Sequence, residues 1–290
     1  MKLGDPQNHT ASSLTPDDLK LAAKELPPSP KVFGKLGKLL RNPNTSLTDI
    51  TDLVHTDASL TTRVLRLSNS AAFAQDQAID TLDDAINRVG FREVFKLVGM
   101  AAASDLFSSR NNTYRIDSST LWENALSCGL AMESIAQKIG RDEQEYYTLG
   151  LLRSMGKTVI DICAQKESES CRYPIATRPP LLQWEQDSFG ITNPAVAGFL
   201  LSTWNFSPET VSAIQSQYGT NPSSPKNEAA IVLNLAGSLA ELGRPLHGES
   251  NYWISFEEHS EELGLTAEDI EDTLDSVRTR LEAILTSVED

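Results

Sequence analysis

The chain has 290 residues, with 25 Lys and Arg against 40 Asp and Glu, and so a formal net charge of −15. Proteins bind nucleic acids and anionic membranes largely through Lys and Arg that face phosphates, so this charge disfavours both partners. A chain of this length buries roughly 75% of its extended surface on folding, which is enough for a core without crosslinks. We therefore expect a soluble protein that binds neither nucleic acid nor membrane.

The cysteines and the N-terminal sequence predict the compartment. Cys128, Cys163 and Cys171 are an odd number, and no two of them stand at C-x-x-C spacing. This pattern fits neither a disulfide framework nor a zinc knuckle, and it favours a reducing compartment. The chain also lacks a basic-then-apolar leader and any run of about 18 apolar residues. We expect a cytoplasmic protein.

Most of the acidity lies at the C-terminal end of the chain. Residues 249–290 contain thirteen Asp and Glu but only Arg278 and Arg280 as cations, a net charge of −11. A solvated face on terminal helices is the favoured interpretation, because the last segment also carries a row of apolar residues. A docking surface for a basic partner is the alternative.

Helix signals recur along the first hundred residues, whereas strand signals hardly appear. Each predicted start has a side chain that can cap a helix N-terminus. Thr15 and Ser29 precede a proline, and Ser46 and Thr81 have an Asp three residues later. These starts are Thr15-Pro16, Ser29-Pro30, Ser46, Asp57 and Thr81. Pro43 and Gly90 are predicted to end helices, and residues 91–107 to form a more deeply buried helix. The first helix, ending near Leu26, forms an N-terminal extension over residues 1–25.

A polar stretch over residues 108–119 separates this part from a second helical region. Its predicted helix starts are Thr120 with Glu123, Asp142 with Glu145, Asn193 before Pro194, Ser207 before Pro208, and Thr266 with Asp269. The helix that begins at Asp142 is expected to run through GLLRSMGK, and a mobile loop is expected over residues 166–180. The apolar row of the last helix predicts packing on the main body or on a second subunit.

Several strings resemble the HDOD family, the "HD-related output domain" of bacterial signalling proteins. They are the opening LPPSP, the Asp57-Ala58-Ser59-Leu60 helix start, RVLRLSNSAAF from Arg63 to Phe73, and DDAINRVG ending at Gly90. The second half contributes LWENALSCGL, LLRSMGK, GITNPAVAGF and NLAGSLAELG. The resemblance covers 26–243. It implies that an N-terminal helical bundle, 26–107, packs on an HD-domain-like helical lobe, 120–243. The helix signals continue beyond the resemblance, so the prediction is an all-α fold with extra acidic C-terminal helices over 244–290.

The second-half strings are similar in turn to HD-domain phosphohydrolases, in which His and Asp side chains hold one or two divalent metals. Against that pattern, the ligand positions fall on Asn124, Arg153, Ser154 and Asn193, and near Gln217 and Gly237. A hydrolytic centre needs imidazoles and a carboxylate around the ion. None of these residues supplies either group, and the four histidines, His9, His55, His247 and His259, lie outside the matched strings. The resemblance therefore implies no metal, no cofactor and no enzymatic activity.

The resemblance implies a non-catalytic output or scaffold module in bacterial signal transduction, acting through contacts with protein partners. Two alternatives remain open. One is a metal-dependent HD-type phosphohydrolase acting on a nucleotide or cyclic dinucleotide. The other is a sensor that binds an anionic small ligand through Arg153. Its vestigial pocket would be formed by the residues aligned with the HD metal ligands. Structural roles compete with the pocket: Asn193 can cap a helix, and the amides of Asn124 and Asn234 can bond to backbone carbonyls.

Overall fold

The computed structural model describes residues 13–40, 42, 44–69, 79–108, 111–165, 171–219 and 227–289. Within these ranges the chain forms α-helices and no β-strand, and the only extended pairing is an isolated bridge between Asn111 and Ile116. This confirms the predicted all-α class. No helix in the described ranges has both the length and the apolar character needed to cross a membrane.

The N-terminal region contains six helices in its described residues. They are α1 (Pro16–Glu25), α2 (Ser29–Leu40), α3 (Leu47–His55), α4 (Ala58–Ser68), α5 (Leu82–Val89) and α6 (Phe91–Leu106). Thr15, Ser46, Asp57 and Thr81 cap their helices as predicted, each accepting a hydrogen bond from the backbone N–H three residues on. Gly90 ends α5 with φ of 87°.

Ser29 does not cap α2 as predicted. It is the first residue of that helix, and its buried hydroxyl donates to the carboxylates of Asp57 and Asp105 instead. The predicted helix end at Pro43 and the SNSAAF string up to Phe73 fall on positions 43 and 70–73, outside the described residues.

The remaining helices follow residue 117. They are α7 (Ser118–Lys138), α8 (Glu143–Leu152), α9 (Met155–Ala164), α10 (Leu181–Phe189), α11 (Asn193–Thr203), α12 (Pro208–Gln215), α13 (Glu228–Gly243), α14 (Phe256–Leu263) and α15 (Ala267–Glu289), with a short 3-10 helix at Ser250–Tyr252. Asp142 caps α8, and Thr266 and Asp269 form the predicted capping box before α15.

Three predicted boundaries in this half are wrong. Asp117, not Thr120, caps α7, because its carboxylate reaches the Thr120 backbone N–H at 2.8 Å. Asn193 is the first residue of α11 rather than its cap, and its side chain bonds to a buried glutamate. The helix expected to run through GLLRSMGK stops at Leu152 and restarts at Met155. This break positions the candidate site.

Two helices organise the packing. In the N-terminal lobe α6 contacts α2, α4 and α5, and in the second lobe α7 contacts α8, α13 and α15. The lobes share one hydrophobic core, since α6 also packs on α8. A Cβ at Gly99 of α6 would lie 2.8 Å from the Phe33 ring and 2.9 Å from Leu151 of α8. The absence of a side chain at Gly99 therefore allows the two lobes to approach closely.

The two ends of the chain pack on the main body. Helix α1 contacts α9 of the second lobe, although it precedes the first lobe in sequence. Helix α15 lies on α7 and also reaches α4, so it contacts both lobes. Leu281 and Ile284 of its apolar row are 9% and 3% exposed. Of the two predicted packing modes for this row, the structure shows contact with the main body.

Candidate functional site

The break between α8 and α9 places two cations inside the second lobe. Arg153 and Ser154 form the turn between the helices, and Lys157 lies in the first turn of α9. All three side chains are fully buried. A Cβ at Gly156 would lie only 2.0 Å from the carbonyl oxygen of Asn193, so the starts of α9 and α11 meet backbone to backbone. From this turn Arg153 reaches Asn124 of α7 and Glu249, and Lys157 reaches Tyr218 and Glu249.

The Arg153 guanidinium has two protein partners. Its Nη1 donates to Oε2 of Glu249 at 2.9 Å, and its Nη2 donates to Oδ1 of Asn124 at 2.5 Å. Its Cζ also lies 5.5 Å from the centroid of the Trp253 ring, within the range of a cation–π contact. The cation is thus enclosed by a carboxylate, an amide and an aromatic face.

Glu249 uses its second oxygen as well. Lys157 donates to Oε1 through a short contact, and the Tyr218 hydroxyl donates to the same atom at 2.9 Å. The Lys157 ammonium also lies 3.2 Å from the Tyr218 oxygen. We call Asn124, Arg153, Lys157, Tyr218 and Glu249 the Arg153 cluster. Each of these side chains is at least 97% buried.

The charges of the Arg153 cluster stabilise one another. Burial by itself raises the pKa of Glu249, but Arg153 and Lys157 outweigh burial and lower that pKa to about 2. Burial likewise opposes the charged form of Arg153, yet the Glu249 carboxylate reverses the effect and raises the arginine pKa. The site therefore holds ionised groups without solvent, because each charge faces an opposite charge at hydrogen-bonding distance.

Glu249 reaches the site on a segment that follows α13. Asn124 anchors the start of this segment by donating from Nδ2 to the Arg244 carbonyl at 2.7 Å. Asn234 holds its end by donating to the Tyr252 carbonyl at 3.0 Å. The Trp253 ring lies over Gly237, where a Cβ would approach it to 2.8 Å. The segment from Arg244 to Trp253 thus closes the site from the side of α13.

The structure brings together some of the predicted pocket residues. Asn124 and Arg153 bond directly, and Gln217 donates from Nε2 to the Arg153 carbonyl at 3.1 Å. Gly237 provides space for Trp253 rather than a ligand atom. Ser154 is buried in the turn, and its hydroxyl has no hydrogen-bond partner. The predicted backbone bonds of Asn124 and Asn234 are confirmed, because each amide donates to a carbonyl.

Asn193 belongs to a neighbouring polar group around Glu185. The Glu185 carboxylate accepts from the Asn193 backbone N–H at 2.8 Å, from the Asn193 side-chain amide at 2.9 Å and from the Tyr114 hydroxyl at 2.7 Å. Burial raises the pKa of Glu185 to about 7, although the Lys157 charge acts in the opposite direction. Asn193 therefore fixes α10 to α11 and does not contact the Arg153 cluster.

Sequence reasoning missed three members of the Arg153 cluster. Lys157 follows Arg153 by one helical turn in an otherwise apolar string, which is a signal that could have been noticed. Tyr218 directly follows Gln217, near a position that the resemblance aligns with an HD ligand. Glu249 is one of thirteen acidic residues in the last 42, and nothing in the local sequence separates it from the solvent-exposed ones. His259, which lies outside the matched strings, is buried beside Asn234, with Nε2 at 2.9 Å from Oδ1.

The residues at this site do not fit a divalent metal ion. HD-type centres combine imidazole and carboxylate ligands, whereas the side chains here comprise a guanidinium, an ammonium, an amide, a phenol and one carboxylate. Both oxygens of that carboxylate already pair with cations. In the described part of the chain, no three His, Cys, Asp or Glu side chains converge in a way that could hold a metal. We derive no chemistry through a metal here.

Comparison with known proteins places this fold in a family. The HDOD domain model matches residues 26–220. An uncharacterized protein of Treponema pallidum (strain Nichols) is 23% identical over 233 residues, which is 79% of this chain and 44% of that protein. The chain thus spans less than half the length of this curated relative.

Solved structures agree on the fold. An HDOD domain protein with unknown function from Geobacter sulfurreducens has a TM-score of 0.71 at 20% identity, covering 94% of this chain and 98% of its own. A "Putative phosphohydrolase" from Shewanella amazonensis SB2B has a TM-score of 0.68 at 22% identity, covering 97% and 99%. A "Putative signal transduction protein" from Marinobacter aquaeolei VT8 has a TM-score of 0.69 at 25% identity, covering 93% and 64%. With more than half of its residues matched by the family model, the chain belongs to the HDOD domain family.

Proposed function

We propose that this protein is a non-catalytic output module of bacterial signal transduction, which acts by changing its contacts with a protein partner. The observation that carries the proposal is the Arg153 cluster, in which two buried cations share one carboxylate. Two of its members, Asn124 and Arg153, stand at positions that the resemblance aligns with metal ligands of HD enzymes. Membership of the HDOD family and the name of the Marinobacter relative support a signalling role.

The chemistry of the cluster supports the non-catalytic part of the proposal. Hydrolysis needs a group that lowers the pKa of a bound water or removes a proton from it. In the Arg153 cluster the carboxylate, with its pKa near 2 and two cationic partners, is a very weak base. A permanent guanidinium charge within hydrogen-bonding distance of Glu249 also repels a divalent cation.

The acidic helices α14 and α15 offer the surface for the partner. Their exposed carboxylates include Glu257, Glu258, Glu261, Glu268 and Glu271. A surface that carries charges of one sign attracts an oppositely charged partner and repels partners of the same charge. Salt screens both effects. We therefore propose a partner with a basic face, for which α14 and the first turns of α15 are the contact.

The catalytic alternative is tested on the purified protein. We expect metal analysis to find far less than one divalent ion per chain, and no hydrolysis of nucleotides or cyclic dinucleotides above buffer with added Mn²⁺ or Mg²⁺. One divalent ion per chain, together with hydrolysis that is abolished by substituting the residues that bind the ion, would contradict our proposal. The protein would then be a phosphohydrolase.

The partner contact is tested by comparing two charge-reversed variants as bait in affinity capture from native cells. E268K/E271K changes the acidic face, and D52K/D83K makes the same change in net charge on exposed positions of the N-terminal lobe. We expect the wild type and D52K/D83K to retain a common partner and E268K/E271K to lose it, with the wild-type complex weakening as salt rises. Equal capture by all three baits would exclude the acidic face as the contact.

A further inference from the structure

In the Arg153 cluster, the side chains that bind the carboxylate and the residue that carries it come from different parts of the chain. The three side chains that donate to or neutralise the carboxylate, Arg153, Lys157 and Tyr218, all lie within the region 26–220 matched by the family model. Glu249 lies outside it, on the segment that follows α13. The donors therefore form a complete set on the body of the fold, and the acceptor is brought to them.

The arrangement of the donors suits a carboxylate in particular. Arg153 approaches one oxygen of Glu249 from Nη1 at 2.9 Å, while Lys157 and Tyr218 converge on the other oxygen. Each oxygen thus has its own donors, as the two oxygens of a planar carboxylate require. A tetrahedral phosphate would bring additional oxygens that these donors do not face.

Four further polar atoms, on residues in or beside the Arg153 cluster, have no hydrogen-bond partner. Among the described residues, Nε of Arg153, Oγ of Ser154, Oε1 of Gln217 and Nε1 of Trp253 are buried without a hydrogen bond. Buried polar groups are normally hydrogen-bonded, so these atoms leave capacity for further hydrogen bonds at the site. Two of these atoms, on Arg153 and Trp253, are obligate donors and favour an acceptor.

We propose that the position of the HD metal centre has become a carboxylate-binding site whose ligand is supplied in cis by Glu249, and which binds a free monocarboxylate when that side chain is removed. Loss of Glu249 leaves the buried charges of Arg153 and Lys157 without the carboxylate that they share. Two like charges in a region of low dielectric repel strongly, and a small anion that enters relieves the repulsion. The other acids that act on these cations are Glu185, through Lys157, and Glu241.

The test uses the full chain with Glu249→Ala, which removes the carboxylate and leaves space for formate or acetate. We expect E249A to melt well below the wild type, and formate or acetate to raise its melting temperature saturably, beyond an equal concentration of chloride. Phosphate should act more weakly than formate. The wild type should show no saturable response, because Glu249 already occupies the site.

The matched control is Glu123→Ala. Glu123 pairs with Arg244 of the same segment, but that arginine is 38% exposed and water can solvate it. We expect E123A to respond to formate no more than to chloride. A saturable response of E123A equal to that of E249A would show a general salt effect and overturn the proposal, as would the absence of a response in folded E249A. Rescue by phosphate but not by formate would overturn the ligand class.

If E249A does not fold, Glu249→Gln and Glu249→Asp decide the question. Gln preserves the shape but not the charge, whereas Asp preserves the charge on a shorter chain. We expect E249D to be more stable than E249Q, and a Gln variant as stable as the wild type would contradict a site for an anion. These outcomes are independent of partner capture, so the proposed signalling role and the carboxylate site can fail separately.

Discussion

Arg153 and Glu249 are separated by 96 residues in sequence, yet their side chains form an ion pair of 2.9 Å that is 0% and 1% exposed. The pair joins the turn after α8 to the segment after α13. Burying two charges is costly unless their hydrogen bonds are complete, and here Asn124, Lys157 and Tyr218 complete most of them. The pair therefore fixes the position of the C-terminal segment on the second lobe.

The first prediction concerns the energy of this pair. Arg153→Met leaves Glu249 with only one cation, and we expect a loss of about 3 to 5 kcal/mol in the free energy of unfolding. R153M and E249Q are combined in a double-mutant cycle. The sum of the two single losses in the free energy of unfolding should exceed the loss in the double variant by at least about 1 kcal/mol. Chemical denaturation of the four proteins measures this coupling.

Arg92 and Glu143 provide the control for that cycle. They form a pair of 3.3 Å at the surface, where the arginine is 70% exposed. The R92A and E143A cycle should give a coupling of only about 0 to 1 kcal/mol. Additive effects in the buried cycle would show that Arg153 and Glu249 do not act as a pair.

The second prediction concerns the dependence of stability on pH. Because burial raises the pKa of Glu185 from 4.5 to about 7, the folded state binds its proton more tightly than the unfolded state. Its contribution is present below pH 4.5 and is lost as the pH rises toward 7, by on the order of 3 kcal/mol. Glu249, with a pKa of about 2, acts in the opposite sense and loses its contribution only below pH 4.5.

Glu185→Gln separates these effects. The free energy of unfolding of E185Q should fall less between pH 5 and 7 than that of the wild type, by a difference on the order of 3 kcal/mol at most. A residual slope of the same sign remains from Glu241, whose pKa burial also raises to about 7. Identical slopes for wild type and E185Q would show that Glu185 is ionised throughout this range.

The third prediction tests the contact that turns the chain at the site. A Cβ at Gly156 would lie 2.0 Å from the backbone oxygen of Asn193, and backbone cannot move aside as a side chain tip can. We expect Gly156→Ala to cost about 3 kcal/mol or more in the free energy of unfolding. Gly243→Ala is the control, because a Cβ there meets nothing within 4 Å, and it should change stability by less than about 1 kcal/mol.

The fourth prediction concerns thiol reactivity. Cys128 is fully buried on α7, and burial raises its pKa to about 11, so the reactive thiolate is scarce at neutral pH. Cys163 and Cys171 are only partly buried. We expect a thiol reagent to modify those two in the native protein, and Cys128 only on unfolding. Peptide mapping by mass spectrometry identifies the sites, and rapid labelling of Cys128 in the folded protein would indicate local opening of α7.

Local signals in the sequence predicted much of the secondary structure correctly. Thr15, Asp57, Thr81 and Asp142 cap their helices because a cap depends only on a side chain and a backbone N–H two or three residues later. The prediction failed at Asn193, where a buried carboxylate from the preceding helix competes for the amide. Tertiary contact decided that case against local preference.

The break in GLLRSMGK also had no local cause. Neither Arg153 nor Ser154 stops a helix by itself, and the chain turns there because Gly156 meets the backbone of Asn193 and because Arg153 reaches Glu249. Both partners are distant in sequence. Helix ends set by such contacts cannot be read from a window of neighbouring residues.

The sequence by itself determined the all-α class and the family resemblance. It also shows that Asn124, Arg153, Ser154 and Asn193, which the resemblance aligns with the HD ligands, are neither imidazoles nor carboxylates. These features depend on residue type and short spacing, which a sequence displays directly. Only the tertiary structure decided that Arg153 and Lys157 share a single carboxylate, and that Glu249 is the one among thirteen acidic residues that supplies it. The reason is physical: a charge buried by distant parts of the chain has the same local sequence as one left in solvent, and only packing distinguishes them.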